Sequence, residues 1–181
     1  YQNNGDGTFS SIYHLIVTND NGKSVSASWG DYDNDGDEDL YVSNLNQENF
    51  LYQNTGDGAF IKITSGAIVT DMENSNSCSW VDYDLDGFLD MFVSNYGENN
   101  SLYHNNGDGT FSKITEGSIV NDGGNSRGCA WADYDDDGDP DLFVCNGNEN
   151  NFFYQNNGDG SFTRITSGLI VSENSDSYSC S

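Results

Sequence analysis

Proline is nearly missing from this chain, occurring once at Pro140, and basic residues are scarce: five lysines and arginines stand against thirty aspartates and glutamates. So little positive charge leaves no basic patch for a phosphate backbone, so nucleic acid is not an expected partner. No apolar run exceeds four residues, which excludes a transmembrane helix. Helical periodicity is absent throughout. Catalytic groupings are lacking too. His14 and His104 occupy unrelated positions, and no Ser-His-Asp or Cys-His spacing is present, so the chain is not expected to be an enzyme. No signal peptide opens the sequence, and the chain begins part-way through a repeat. Continuation beyond its ends, or packing against neighbouring copies, is therefore expected.

What the sequence does have is acid in a fixed pattern. Asp31-Tyr-Asp33-Asn-Asp35-Gly36-Asp37-Glu-Asp39 returns at Asp82-Tyr-Asp84-Leu-Asp86-Gly87-Phe88-Leu-Asp90 and at Asp133-Tyr-Asp135-Asp-Asp137-Gly138-Asp139-Pro-Asp141, 51 residues apart each time. Oxygen ligands at positions 1, 3, 5 and 9 of a tight loop, with glycine at position 6 for the turn, suit a hard cation such as calcium. Sixteen of the thirty acidic residues lie in these loops, so the acidity is local chemistry and not a diffuse coat. Turns alone favour Asp and Gly, but four crowded carboxylates would repel one another without a cation. An EF-hand needs a bidentate Glu at position 12, and here that position is Val42, Val93 and Val144. Magnesium prefers fewer protein ligands and more water. Three calcium ions are therefore expected.

The period extends beyond the loops. Trp29, Trp80 and Trp131 precede them; Asn44, Asn95, Asn146 and Asn49, Asn100, Asn151 follow. Tyr1, Tyr52, Tyr103 and Tyr154 open segments holding a Gly-Asp-Gly turn, each followed by an aromatic at Phe9, Phe60, Phe111 and Phe162. A period near 50 points to a propeller blade or another solenoid unit. In the second full repeat the pattern predicts strands over 77–83, 90–95, 101–105 and about 110–114, with a linker to the next tryptophan. The fold class is thus all-β: four-stranded antiparallel blades in about three and a half repeats, part of a larger propeller or assembly. The units are 1–28 (a partial blade), 29–79, 80–130 and 131–181.

The Gly-Asp-Gly turns read as structural, with glycine supplying positive φ and Asp bonding its local backbone. The aromatic ladders read as filling between units, with sugar stacking as the other reading. Asn99-Asn100-Ser101 is a lone glycosylation sequon. Cys78, Cys129 and Cys180 share one repeat position, suggesting a small buried site. Cys145 stands apart. If Asp133 faces Asp141 in a symmetric hairpin, Cys129 faces Cys145. A disulfide is then possible, and it would mark an oxidising compartment.

The run from Trp29 to Asn44, followed by Asn49-Phe-Leu-Tyr-Gln-Asn and Gly56-Asp-Gly-Ala-Phe, resembles the FG-GAP/VCBS repeats. It looks closest to those of the ASPIC/UnbV and cartilage-acidic-protein kinds, and the likeness covers nearly the whole chain. The resemblance implies β-propeller blades with a calcium loop between the first two strands of each, as in integrin α-chain propellers. It implies a further ligand from the backbone carbonyl of Asp37, Phe88 or Asp139. Family propellers usually have about seven blades, more than the repeats present here. The resulting expectation is an extracellular or cell-surface calcium-binding module with a structural or interaction role, whose partners are protein, glycan or copies of itself. The alternative is a calcium-dependent carbohydrate-binding lectin or adhesin.

Overall fold

The computed structural model describes residues 1–12, 15–172 and 176–180; His14 and Ser181 lie outside the described residues. A two-stranded hairpin, β1 (Gln2–Asn3) with β2 (Phe9–Ser10), opens the chain. Three antiparallel meanders follow. The first is β3 (Ser24–Gly30), β4 (Asp39–Glu48), β5 (Phe50–Asn54) and β6 (Phe60–Ile63). The second is β7 (Met72–Val81), β8 (Asp90–Glu98), β9 (Ser101–Asn105) and β10 (Phe111–Lys113). The third is β11 (Gly124–Ala132), β12 (Asp141–Asn146), β13 (Phe152–Asn156) and β14 (Phe162–Ile165). The protein is all-β, built from four-stranded blades.

Alternation along the strands sends each face of the middle blade into a different core. Cys78, Met91, Val93 and Tyr103 turn toward Tyr41, Leu51 and Tyr32 of blade one. Val81, Phe92 and Leu102 turn toward Leu142, Val144 and Tyr154 of blade three. The tryptophans seal these seams. Trp80 lies parallel on Tyr32, ring centroids 5.9 Å apart, and donates from its indole nitrogen to the Ser28 carbonyl at 3.2 Å. Gly30 permits this approach, since a Cβ there would sit 2.6 Å from the Trp80 ring. Trp29 is 57 % exposed and is tilted against Phe60 of its own blade, ring centroids 6.2 Å apart.

Strand one begins earlier than the periodicity predicts, at Met72 rather than 77. Its extra residues pair with the preceding blade, Met72 with Glu48 and Asn74 with Leu45. Likewise Asn125 of β11 pairs with Tyr96 of β8. Hydrophobic alternation within one repeat carries no sign of a ladder to the next. The linkers also contain single helical turns, α1 (Ala67–Thr70), α2 (Ser118–Asn121) and α3 (Leu169–Ser172). Four residues are too few to show a period, yet Ile68, Val69, Ile119 and Val120 plug the two seams.

The expected opposition of Cys129 and Cys145 fails. The third hairpin closes at Ala132 opposite Asp141, so Cys129 faces Val144 and Cys145 faces Gly128. Asp133 does not pair with Asp141, because its carboxylate turns into the loop and accepts the Asp137 and Gly138 amides. A one-residue offset puts Cys129 and Cys145 on opposite faces of the sheet. All four cysteines are free thiols.

Candidate metal centres

Each acidic loop spans the hairpin between the first two strands of a blade, and its own aspartates shape it. Asp31 accepts the amides of Asp35 (3.0 Å) and Gly36 (2.9 Å). Asp82 does the same for Asp86 and Gly87, both at 3.0 Å. The glycine at position 6 has φ near +95° in all three loops, and position 4 is also left-handed, at Asn34, Leu85 and Asp136. Asn and Asp tolerate that region, but an exposed leucine there is strained. Loop two therefore holds its shape against local preference.

Position 9 forms the floor. Asp39, Asp90 and Asp141 are 0 %, 0 % and 2 % exposed. Each carboxylate accepts two backbone amides: Asp39 those of Tyr32 and Asn54, Asp90 those of Tyr83 and Asn105, Asp141 those of Tyr134 and Asn156. Asp33 and Asp135 at position 3 are steered by the side-chain amides of Gln53 and Gln155, each 2.6 Å away.

The structure brings Asp31, Asp33 and Asp39 together, with one oxygen from each within 4.8 Å of the others, and it does the same for Asp133, Asp135 and Asp141. In loop two the convergent groups are Asp82, Asp84 and Asp86, and separately Asp84, Asp90 and His104. Asp35 and Asp137 fall outside these groups; their carboxylates accept the Asp37 and Asp139 amides. The side chains of Asp37, Phe88 and Asp139 point away, onto the turns at Gly56, Gly107 and Gly158. Only their backbone could serve an ion.

Burial first, then the charges of Asp33 and Asp35, push the Asp39 carboxyl up to about 6 against the pull of its two amides. Burial likewise raises Asp90, Asp84 and Asp135, with neighbouring aspartates adding to it. Carboxylates that resist joint ionisation are best relieved by a cation at their centre. The all-oxygen donor sets of loops one and three fit a hard divalent ion.

Three contributors escaped the sequence reading. His104 places Nδ1 3.3 Å from both Asp84 and Asp90, at the position Gln53 and Gln155 hold elsewhere. Asn105 and Asn156 reach across the seam to the carbonyls of Tyr32 and Tyr83, both at 2.8 Å, tying loops one and two to the blade that follows each. The signal was available, since Asn54, Asn105 and Asn156 recur two residues after the repeated tyrosine.

A family model described as an FG-GAP-like repeat matches residues 1–42, 31–93, 82–144 and 133–181. Cartilage acidic protein 1 of Xenopus tropicalis is 33 % identical over 66 residues, 36 % of this chain and 10 % of that protein. A solved structure of an Agrocybe aegerita lectin, titled for specific recognition of non-reducing terminal N-acetylglucosamine, superposes with a TM-score of 0.54 at 21 % identity, covering 80 % of this chain and 38 % of the lectin chain. The chain thus spans about a tenth of its curated relative, and the lectin likeness concerns the fold. No described helix is long and apolar enough to cross a membrane.

Proposed function

The chain belongs to the FG-GAP-like repeat family, and on that premise we propose that it is an extracellular calcium-binding module with a structural and interaction role, holding one calcium ion in each acidic loop. The ligands are Asp31, Asp33, Asp35 and Asp39; Asp82, Asp84, Asp86 and Asp90; and Asp133, Asp135, Asp137 and Asp141. The carbonyls of Asp37, Phe88 and Asp139 complete the sets. The observation that carries this reading is the buried position-9 aspartate of each loop, with two further carboxylates converging on it in loops one and three. A calcium ion neutralises that cluster and ties two strands, and binding to the folded chain alone adds stability by mass action. Extracellular modules of this chemistry work at ~10⁻⁴–10⁻³ M affinity, which matches calcium outside cells. Partners are protein, glycan or further copies of the chain, and no reaction is assigned.

Isothermal titration should give three calcium equivalents, and chelation should lower the melting temperature, with calcium restoring it better than magnesium. An unchanged melting curve after exhaustive chelation overturns the reading. The alternative, a calcium-dependent carbohydrate-binding lectin or adhesin, draws its support from the likeness in fold to the Agrocybe aegerita lectin.

A further inference from the structure

The first strands of successive blades lie against one another, and each carries an irregularity at the same repeat position. The ladder shifts register between Ser24 and Ser26, between Ser75 and Ser77, and between Ser126 and Gly128. The residue inside each bulge is Val25, Asn76 and Arg127, and the matching residue of the final segment is Tyr178. The position before it is serine in all four copies, Ser24, Ser75, Ser126 and Ser177. A position that differs in every copy beside one that never differs is not used to build the repeat. Bulges free a residue from the ladder and re-aim its side chain.

All four variable residues line one open cleft of about 510 Å³, together with Leu45, Asn74 and Tyr96. That volume lies within the ordinary range of ligand sites. Arg127 lies between two rings, its guanidinium carbon 4.2 Å from the Tyr178 centroid and 5.5 Å from that of Tyr96. Gly147 makes room for it: a Cβ there would meet the guanidinium at 2.5 Å, and the equivalent positions elsewhere are Leu45 and Tyr96. Three of the other four basic residues, Lys62, Lys113 and Arg164, sit at one repeated ion-pair position against Asp20, Asp71 and Asp122. Arg127 is outside that scheme and pairs with Asp176 at 2.7 Å.

We propose that this cleft is a binding site for a neutral saccharide, which packs on the surface of Tyr96 and Tyr178 that Arg127 leaves open, while Arg127, held by Asp176, and Asn76 engage hydroxyls. The proposal rests on the reading of the chain as an interaction module and names that module's ligand. The charge selects the class. Arg127 makes a bound cation costly. Asp176 already neutralises it, and the chain's net charge of −25 repels anions. Tyrosine faces and a partnered Arg–Asp pair suit an uncharged ligand rich in hydroxyls. None of these residues belongs to the acidic loops.

Ligand-observed NMR and isothermal titration with methyl glucoside, galactoside and mannoside test it, on folded protein with and without excess calcium. At least one neutral glycoside should bind saturably, with Kd on the order of 1 mM. Methyl glucuronide should bind about tenfold more weakly. Arg127→Val and Tyr178→Val install the residue that copy one already carries, and each should weaken binding by about tenfold or more with the melting temperature kept. No saturable binding up to about 50 mM, full binding by both variants, or equal binding of the glucuronide overturns the proposal. Calcium heats measured on the same sample separate this failure from failure of the calcium reading.

Discussion

Asp39 holds a carboxylate with no exposed surface beside Asp33 and Asp35. Its folded value of about 6 lies above the ~3.9 of an unfolded chain, so folding favours its protonated form. That contribution to stability is fully present below about pH 4 and is lost as pH rises through about 6. Asp90 shifts in the same direction, also from burial. Chelated protein should therefore melt at a higher temperature at pH 5 than at pH 8. Saturating calcium binds the ionised form and should reverse that order. Scanning calorimetry at the two pH values reads both, and chelated protein that is more stable at pH 8 would show that these carboxylates are not in conflict.

Between elements, the seam depends on groups that no single repeat displays. Asn105 donates to the carbonyls of Tyr32 in blade one and Leu89 in its own blade, at 2.8 and 3.0 Å. Asn105→Ala removes both of these bonds and the one its Oδ1 accepts from the Gly107 amide, at a cost of about 1–3 kcal/mol for a buried group. Because Tyr32 belongs to loop one and Asp90 to loop two, the substitution should weaken two of three calcium sites, while loop three keeps its affinity. Titration calorimetry resolves this, and a change confined to loop two would mean the blades are uncoupled. The acidic loops were legible in the sequence because their ligands lie within nine residues of one another. The strands were legible because alternation is local. The inter-blade ladder at Met72–Asn74, the Asn105 cross-link and the one-residue offset that separates Cys129 from Cys145 were not, since each is fixed by a partner outside the strand or by how a loop closes. The bulges at Val25, Asn76 and Arg127 were hidden likewise, although the variability of that position was visible all along.

For the whole molecule, charge is the term that calcium changes most. Three divalent ions move the net charge from −25 only to about −19, so loading does not neutralise the protein. What it removes is repulsion at contact distance, because sixteen of the thirty acidic residues sit in the three loops. Monovalent salt acts differently. It shortens the screening length from about 30 Å at 0.01 M to about 3 Å at 1 M and weakens repulsion between exposed charges. Buried Asp39, Asp90 and Asp141 are screened far less, so salt cannot substitute for the ion. Raising sodium chloride from 0.01 to about 0.5 M should lift the chelated protein's melting temperature by part of the gap that calcium closes, and should lift the calcium-loaded protein's by less. Melting curves across that series decide it. If salt alone restored the calcium-loaded melting temperature, the stabilisation would be diffuse screening of an acidic surface, and the three loops would lose their standing as specific sites.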